Sequence, residues 1–256
     1  WRAGALRSMG LGPQAGFFKE KIGPAPRPVR IGGIWRRFVC KKLVHETRAE
    51  AQKLLLSLRQ FGVAVPGGAD VLVHFRGALE KALQSSPGMV TAVLDLDLAN
   101  AFPSLEWDDI RAATEEYMPR LVAWTRWCHQ EAANVHLPGG GKQTSDRGAE
   151  QGDPLGSLQC ALVIALVMAR TRERLSSELG EAAANFGDAW FMDDGQVFCK
   201  PELVDDLLKV LDEELAKVGA TRGSGTGVKS VARLVGTASD LAAYPDTWAT
   251  ERVRNI

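Results

Sequence analysis

The sequence has only four cysteines, Cys40, Cys128, Cys160 and Cys199, and no two of them form a CxxC pair. A zinc site or a disulfide framework is therefore not expected, and a reducing, intracellular compartment is the default. The longest apolar run, residues 160–169, is too short to span a bilayer and predicts a buried helix. No signal peptide is visible.

A net charge is also absent, since 31 Lys and Arg balance 31 Asp and Glu. The charge is unevenly spread, however. Residues 1–50 carry 11 Lys and Arg against 3 Asp and Glu, a net of +8, so the remainder carries −8. A basic first part suits a protein that binds polyanions with one end, but it also fits a basic surface arm with no such role.

Apolar spacing and turn residues predict a mixture of helices and strands. Recurrence at three and four residues predicts helices over 34–58, 71–83, 107–129, 156–179 and 201–218. Turn-forming Pro and Gly end the first of these within 61–68. Alternating apolar and acidic residues predict a strand over 91–98, and two hairpins are expected over 137–148 and 189–198.

The chain opens on Trp1 rather than Met, which indicates a piece of a longer protein.

Three carboxylates have the placement that nucleotide polymerisation needs. Asp97 lies near the end of the predicted strand, and Asp193 and Asp194 lie at the turn of the second hairpin. Two Mg²⁺ ions can stabilise the attacking and leaving oxygens together, and Mg²⁺ prefers a small cluster of hard oxygen ligands. Two adjacent carboxylates between apolar residues repel each other, and keeping both ionised costs free energy unless a cation is bound. Taken alone, Asp193-Asp194-Gly195 is more often a plain hairpin turn.

Several ordered motifs resemble those of the reverse transcriptases of retroelements, especially the non-LTR and group-II-like enzymes. The similarity covers roughly residues 19–236. The four palm motifs are matched by 97–102 (DLANAF), 151–156 (QGDPLG), 191–194 (FMDD) and 219–229 (GATRGSGTGVK). Upstream blocks of the family are matched by 27–29 (RPV), 35–37 (WRR) and 60–62 (QFG), the last followed by Gly67-Gly68.

The resemblance implies catalysis by Asp97, Asp193 and Asp194. These side chains would hold two Mg²⁺ ions, for which Mn²⁺ could substitute, with help from the backbone carbonyl of Leu98. Phe102 would lie under the incoming sugar and exclude a 2′-hydroxyl, because a rigid ring occupies the space that the extra oxygen needs. Without Asp97 five residues earlier, a core aromatic would be the better interpretation of Phe102.

The resemblance also implies residues that bind the nucleotide and the nucleic acid. Arg27 would bind the triphosphate with its two-pronged guanidinium. Gln151 and Gly152 would position nucleotide and template, the glycine by permitting close backbone approach. Lys229 would be a proton donor to pyrophosphate or simply a surface charge. The residues expected to contact nucleic acid are Lys19, Lys21, Arg36 and Arg37.

The implied fold class is α+β: a right-hand polymerase palm, with an antiparallel sheet backed by helices, and a fingers subdomain. The thumb is expected to be largely absent. The expected division is fingers over 1–90, palm over 91–107, fingers again over 108–147, palm over 148–237, and a tail or the start of a thumb over 238–256.

The implied function is reverse transcription within a retrotransposon-type polyprotein, with an RNA template, a DNA primer and dNTPs as partners. No membrane partner is expected. Two alternatives stay open at this point. One is an RNA-templated RNA polymerase with the same palm, against which Phe102 argues. The other is a catalytically dead, retroelement-derived module that binds nucleic acid.

Overall fold

The computed structural model describes residues 14–19, 27–84, 92–136, 141–223 and 226–228. Two four-stranded sheets and one two-stranded ribbon are joined by helices. The strands are β1 (Gln14–Lys19), β2 (Arg27–Ile31), β3 (Ala92–Leu96), β4 (Leu98–Ala99), β5 (Ala133–His136), β6 (Lys142–Ser145), β7 (Gly187–Phe191), β8 (Asp194–Cys199), β9 (Thr221–Arg222) and β10 (Gly227–Val228).

The described helices vary from one to more than six turns. They are α1 (Ile34–Ser57), α2 (Gly68–Gln84), α3 (Ala101–Ser104), α4 (Trp107–Tyr117), α5 (Val122–Cys128), α6 (Gly156–Leu179) and α7 (Val204–Lys217). Single 3₁₀ turns lie at Pro119–Leu121, Glu181–Ala184 and Pro201–Leu203. Within the described ranges, no helix combines the length and the apolar character that crossing a bilayer requires.

The central sheet has the strand order β10-β3-β8-β7, and all its pairs are antiparallel. Helix α6 packs against α4 and α7, and every residue from 158 to 168 in α6 is buried. A helix buried on all sides needs no polar stripe, which is why residues 160–168 are all apolar, and Gln159 is the one polar side chain of the buried stretch. The predicted buried helix is therefore confirmed, with bounds identical to those expected.

The second sheet has the order β2-β1-β5-β6 and is the less regular of the two. Its β1–β2 and β5–β6 pairs are antiparallel, whereas β1 and β5 run parallel. The predicted hairpin over 137–148 corresponds to β5 and β6, although its strands begin four residues earlier than expected. Residues 137–140 of its turn, which include Gly139 and Gly140 of the three expected turn glycines, lie outside the described residues.

The prediction of one helix over 107–129 is wrong. Helix α4 ends at Tyr117, a 3₁₀ turn occupies Pro119–Leu121, and α5 begins at Val122. Proline has no backbone N–H and disfavours helical angles in the residue before it. Met118 accordingly has φ −138° and ψ 63°, which is not helical. Buried side chains lie on both sides of this break, in α4 and in α5.

The four cysteines are free and buried. Burial raises the pKa of every one of these thiols, that of Cys199 to about 11 and that of Cys128 to about 12. A thiol with such a pKa is almost entirely protonated at neutral pH and behaves as a small apolar side chain. These residues therefore contribute to packing.

A buried carboxylate links α6 to α7. Glu214 is 1% exposed and accepts hydrogen bonds from Lys217 (Nζ, 2.6 Å) and Arg174 (Nη1, 2.9 Å). Burial on its own raises the pKa of Glu214, but these two cations outweigh it and hold the pKa below its usual value. The carboxylate therefore stabilises the fold while it is ionised.

The substitution Glu214→Gln should lower stability at pH 7 by an amount on the order of 1 kcal/mol. The pKa of Glu214 is lower in the folded protein than in the unfolded chain, where it is about 4.3. The ionised carboxylate therefore contributes its full stabilisation above that value, and the contribution is lost as the pH falls through the folded pKa. The difference in Tm between the two proteins should therefore shrink below about pH 4. Thermal unfolding from pH 7 to 3 measures it, with the exposed Glu173→Gln as a control. A difference independent of pH would contradict this assignment.

Candidate catalytic site

The three candidate carboxylates lie at one end of the central sheet. Asp97 directly follows β3, Asp193 lies in the turn between β7 and β8, and Asp194 is the first residue of β8. Leu96 of β3 pairs with Gly195 of β8, so the next position along the two strands brings Asp97 beside Asp194. Adjacent strands are about 4.8 Å apart. The structure thus brings together two stretches of chain that are almost a hundred residues apart.

The carboxylate oxygens of these three residues are ligands that Mg²⁺ prefers, but the three side chains provide only a few of them. Within the part of the chain that the structure describes, no set of three or more His, Cys, Asp or Glu side chains is grouped to hold a metal ion. Mg²⁺ sites in phosphoryl-transfer enzymes commonly use one or two carboxylates, and substrate phosphates and water complete the coordination. Asp97 and the Asp193-Asp194 pair fit that pattern. Leu98, whose carbonyl was a further candidate, lies in β4 opposite Arg222.

The turn that carries Asp193 is held by a side chain from the first third of the sequence. Gln60 is 1% exposed, and its Oε1 accepts a hydrogen bond from the N–H of Met192 (2.7 Å). Its Nε2 donates to the carbonyl of Met192 (3.0 Å). The motif at 60–62 had been noted in the sequence without a role, so this contact was missed. Only the tertiary fold brings residue 60 next to residue 192.

Asp97 is held in a similar way by a side chain from a late segment. Thr226 Oγ1 lies 3.1 Å from the N–H of Asp97, which donates to it, and 3.0 Å from the Asp97 carbonyl, to which it donates. The N–H of Gly223 also donates to that carbonyl (2.6 Å). Both residues belong to the fourth palm-like motif, but sequence analysis assigned neither of them a role.

Gly223 leaves room for the carboxylate of Asp97. A Cβ atom built on Gly223 would lie 2.6 Å from Oδ2 of Asp97, which is closer than non-bonded atoms approach. Gly223→Ala should therefore displace this carboxylate and lower the rate of nucleotide incorporation by up to about 100-fold, a typical effect of misplacing a catalytic group by 1 Å.

Gly77→Ala is the matched control, because a Cβ there meets no heavy atom within 4 Å. Single-turnover primer extension compares the two variants, and thermal unfolding shows whether each is folded. A full rate for Gly223→Ala would show that the position of the Asp97 carboxylate does not limit catalysis.

Phe102 lies beside the segment that carries Gln151 and Gly152. It belongs to the short helix α3, is 7% exposed, and accepts a hydrogen bond at its carbonyl from the N–H of Ala149 (2.7 Å). Asn100, just before this helix, has φ +49°, a left-handed conformation that asparagine tolerates. Gln151 is exposed and Gly152 half-buried. The first and second palm-like motifs therefore meet, although the ring of Phe102 is mostly packed in the core.

Arg36 does not have the exposed position that was expected of a residue contacting nucleic acid. Its side chain is 3% exposed; Nε donates to Asp153 Oδ2 (2.8 Å), and Nη2 lies 3.7 Å from Glu150 Oε2. Burial on its own lowers the pKa of Arg36, but the attraction of the Glu150 and Asp153 carboxylates and the hydrogen bond to Asp153 raise it above its usual value. The guanidinium has almost no surface to offer a phosphate. It instead ties α1 to the segment that carries Gln151.

The remaining basic candidates are placed only in part. Arg37 is half-buried, and its Nε has no hydrogen-bond partner in the described part of the chain. Lys19 and Arg27 pair with each other in the β1–β2 hairpin, so their backbones are adjacent. Lys21 and Lys229 lie outside the described residues. The roles expected of Arg27, Arg37, Lys19, Lys21 and Lys229 stay predictions.

The chain was compared with known protein families, with curated protein sequences and with solved structures. No protein-family model matches the chain, and no curated protein sequence matches it. Its structure is similar to that of telomerase from Candida albicans, solved in complex with a fragment of telomeric RNA, with a TM-score of 0.60 and 12% sequence identity. The chain has a polymerase-like α+β fold. The superposition covers 90% of this chain and 44% of the telomerase chain, so this chain spans less than half of that protein.

The polymerase-like fold confirms the fold class expected from the sequence: an antiparallel sheet backed by helices. At 12% identity, the likeness to telomerase concerns the fold alone. The subdomain boundaries and the catalytic roles of individual residues remain predictions. What the structure adds is the shared location of Asp97, Asp193 and Asp194 at one end of the central sheet.

Proposed function

We propose that this chain synthesises DNA on an RNA template by two-metal nucleotidyl transfer. The observation that carries the proposal is the meeting of Asp97 with Asp193 and Asp194 at the end of strands β3 and β8. The polymerase-like fold supports it, because template-directed nucleotidyl transfer is the chemistry that such a fold would serve. The structurally similar telomerase was solved in complex with a fragment of telomeric RNA, which supports an RNA template as a partner of this chain.

In the proposed reaction, a primer 3′-hydroxyl attacks the α-phosphate of an incoming nucleotide and pyrophosphate leaves. Asp97, Asp193 and Asp194 would hold two divalent cations, Mg²⁺ or Mn²⁺, and these cations would supply the positive charge that stabilises the attacking and leaving oxygens. The protein contributes the fixed positions of the three carboxylates. Gln60 and Thr226 fix those positions by binding the backbone of Met192 and of Asp97.

Selection of the nucleotide would fall to Phe102 and to the segment 151–152. Phe102 would exclude a 2′-hydroxyl, and its backbone hydrogen bond with Ala149 brings Gln151 and Gly152 near the same place. Arg27 would bind the triphosphate, and Lys229 would protonate the pyrophosphate. We further propose that the chain belongs to a retrotransposon-type polyprotein and that its partners are an RNA template, a DNA primer and dNTPs.

Primer extension tests this proposal. A DNA primer annealed to RNA should be extended with dNTPs in the presence of Mg²⁺, and omission of the divalent cation should abolish product. The parallel reaction with NTPs should be much weaker. Preference for NTPs would replace the proposal with an RNA-templated RNA polymerase. Absence of extension with either set, from folded protein that still binds primer–template, would favour a catalytically dead nucleic-acid-binding module.

A further inference from the structure

The segment 59–62 is joined to the edge of the central sheet next to the candidate catalytic turn. Gln60 forms an isolated parallel bridge with Trp190 of β7. The N–H of Trp190 donates to the carbonyl of Arg59 (2.9 Å), and the N–H of Phe61 donates to the carbonyl of Trp190 (2.7 Å). The segment therefore follows β7 to its end, just before the turn formed by Met192 and Asp193.

That turn has a conformation which side chains disfavour. Phe191 pairs with Asp194, so Met192 and Asp193 form a two-residue hairpin loop. Met192 has φ +57°, a left-handed value that is uncommon outside glycine and asparagine. The primed turns that suit such hairpins need a positive φ at their first central residue, and glycine usually provides it. A methionine keeps this conformation only where its surroundings impose it.

The amide of Gln60 supplies that constraint. It contacts both polar backbone groups of Met192, as an acceptor for the N–H and as a donor to the carbonyl. Its Oε1 also accepts the N–H of Gly62 (3.3 Å), which orients the amide. A carboxamide has both an acceptor and a donor at its tip, so it matches an N–H and a carbonyl simultaneously. An apolar side chain of equal length would leave both groups of Met192 without this partner.

Gly62 lies close against the backbone of the same turn. A Cβ atom built on Gly62 would lie 2.5 Å from the backbone nitrogen of Met192. Residue 62 therefore has no room for a side chain while the turn keeps its present place. The contact is with backbone, which cannot swing aside as the end of a flexible side chain could.

We propose that Gln60 is a positioning residue, which holds the Met192–Asp193 turn in its left-handed form and thereby aims the Asp193 carboxylate at the metal site. This inference rests on the proposed function. Without the amide, Met192 relaxes towards ordinary backbone angles and Asp193, the next residue, moves with it. Binding of a divalent cation weakens and the chemical step slows, whereas the surface that binds primer–template is untouched.

The test uses Gln60→Met, which keeps the length of the side chain but removes both hydrogen bonds. Its kcat in primer extension should fall by about 10- to 100-fold, while KM for primer–template stays within about twofold. Mn²⁺ affinity, measured by water-proton relaxation without substrate, should fall in parallel. Gly62→Ala, which pushes on the same backbone without changing the amide, should shift kcat and Mn²⁺ affinity in the same direction.

Thr114→Val is the matched control for a purely structural loss. Thr114 is also 1% exposed and donates its hydroxyl to the Ile110 carbonyl within α4. It should lower Tm without changing Mn²⁺ affinity or kcat. Unchanged kcat and Mn²⁺ affinity in Gln60→Met would overturn the inference, and so would equal losses in Thr114→Val.

The outcomes also separate this inference from the proposed function. If wild-type protein extends primers but Gln60→Met matches it, the function stands and the positioning role fails. If wild-type protein does not extend primers, yet its Mn²⁺ affinity depends on Gln60, the positioning role stands and the proposed function fails. A wild-type protein that neither binds Mn²⁺ nor extends primers would remove both.

Discussion

Replacement of Asp193 by asparagine should lower the rate of nucleotide incorporation by about 10³-fold or more, because metal stabilisation of the transition state contributes several kcal/mol and each 1.36 kcal/mol is tenfold in rate. Asparagine has nearly the same shape as aspartate but carries no negative charge. The turn between β7 and β8 should therefore keep its geometry, while the cation loses an anionic ligand. Rapid-quench primer extension with Mg²⁺ measures the effect.

A matched control for this experiment is Asp205→Asn, since Asp205 is an exposed carboxylate on α7. Its rate should equal that of wild type. Asp97→Asn should resemble Asp193→Asn, and the double variant should be little worse than either, because residues that act as one unit give non-additive losses. Undiminished synthesis by folded Asp193→Asn would remove the two-metal mechanism from this site.

Arg36→Met should destabilise the fold by about 3–5 kcal/mol, the usual cost of removing one partner from a buried ion pair. Glu150 and Asp153 would lose the guanidinium that lies beside both of them, in a site with almost no access to water. Urea unfolding measures the loss. Asp153→Asn in the Arg36→Met background should restore part of it, because the uncompensated charge is then gone.

Lys41→Met is the control for this prediction, since Lys41 is exposed on the same helix and its loss should change stability by less than about 0.5 kcal/mol. The experiment also decides between two roles for Arg36. If Arg36→Met unfolded at the wild-type urea concentration but bound primer–template less tightly, with a weaker dependence on salt, Arg36 would be the phosphate contact that the sequence suggested.

Local patterns predicted most of the regular elements because the forces that form them act over few residues. The bounds of α6 were predicted from a stretch that is apolar in its first half and charged in its second, and the β7–β8 hairpin followed from Asp193-Asp194-Gly195 between apolar stretches. The break at Pro119 was missed because apolar residues occur on both sides of it, such as Ile110 in α4 and Trp127 in α5. Apolar periodicity then continued across a proline that should have ended the first helix.

The candidate site was predicted less completely, since its geometry depends on contacts between distant residues. The identities of Asp97, Asp193 and Asp194 came from motif resemblance, and the strand register was needed to bring them to one end of the sheet. Arg36 was assigned to nucleic acid because it lies in the basic first part of the chain and in a block that resembles a fingers motif. Its burial beside Glu150 and Asp153 depends on how α1 packs against residues 150–153.

The sequence by itself determined the secondary structure of most segments, the order of the palm-like motifs and the carboxylates available for catalysis, because these depend on side-chain chemistry and local spacing. Only the tertiary structure decided which segments support those carboxylates: Gln60 at the Met192 backbone, and Thr226 with Gly223 at Asp97. Hydrogen bonds between residues more than a hundred positions apart leave no periodic signal in a sequence. They form only once the chain has packed around its core.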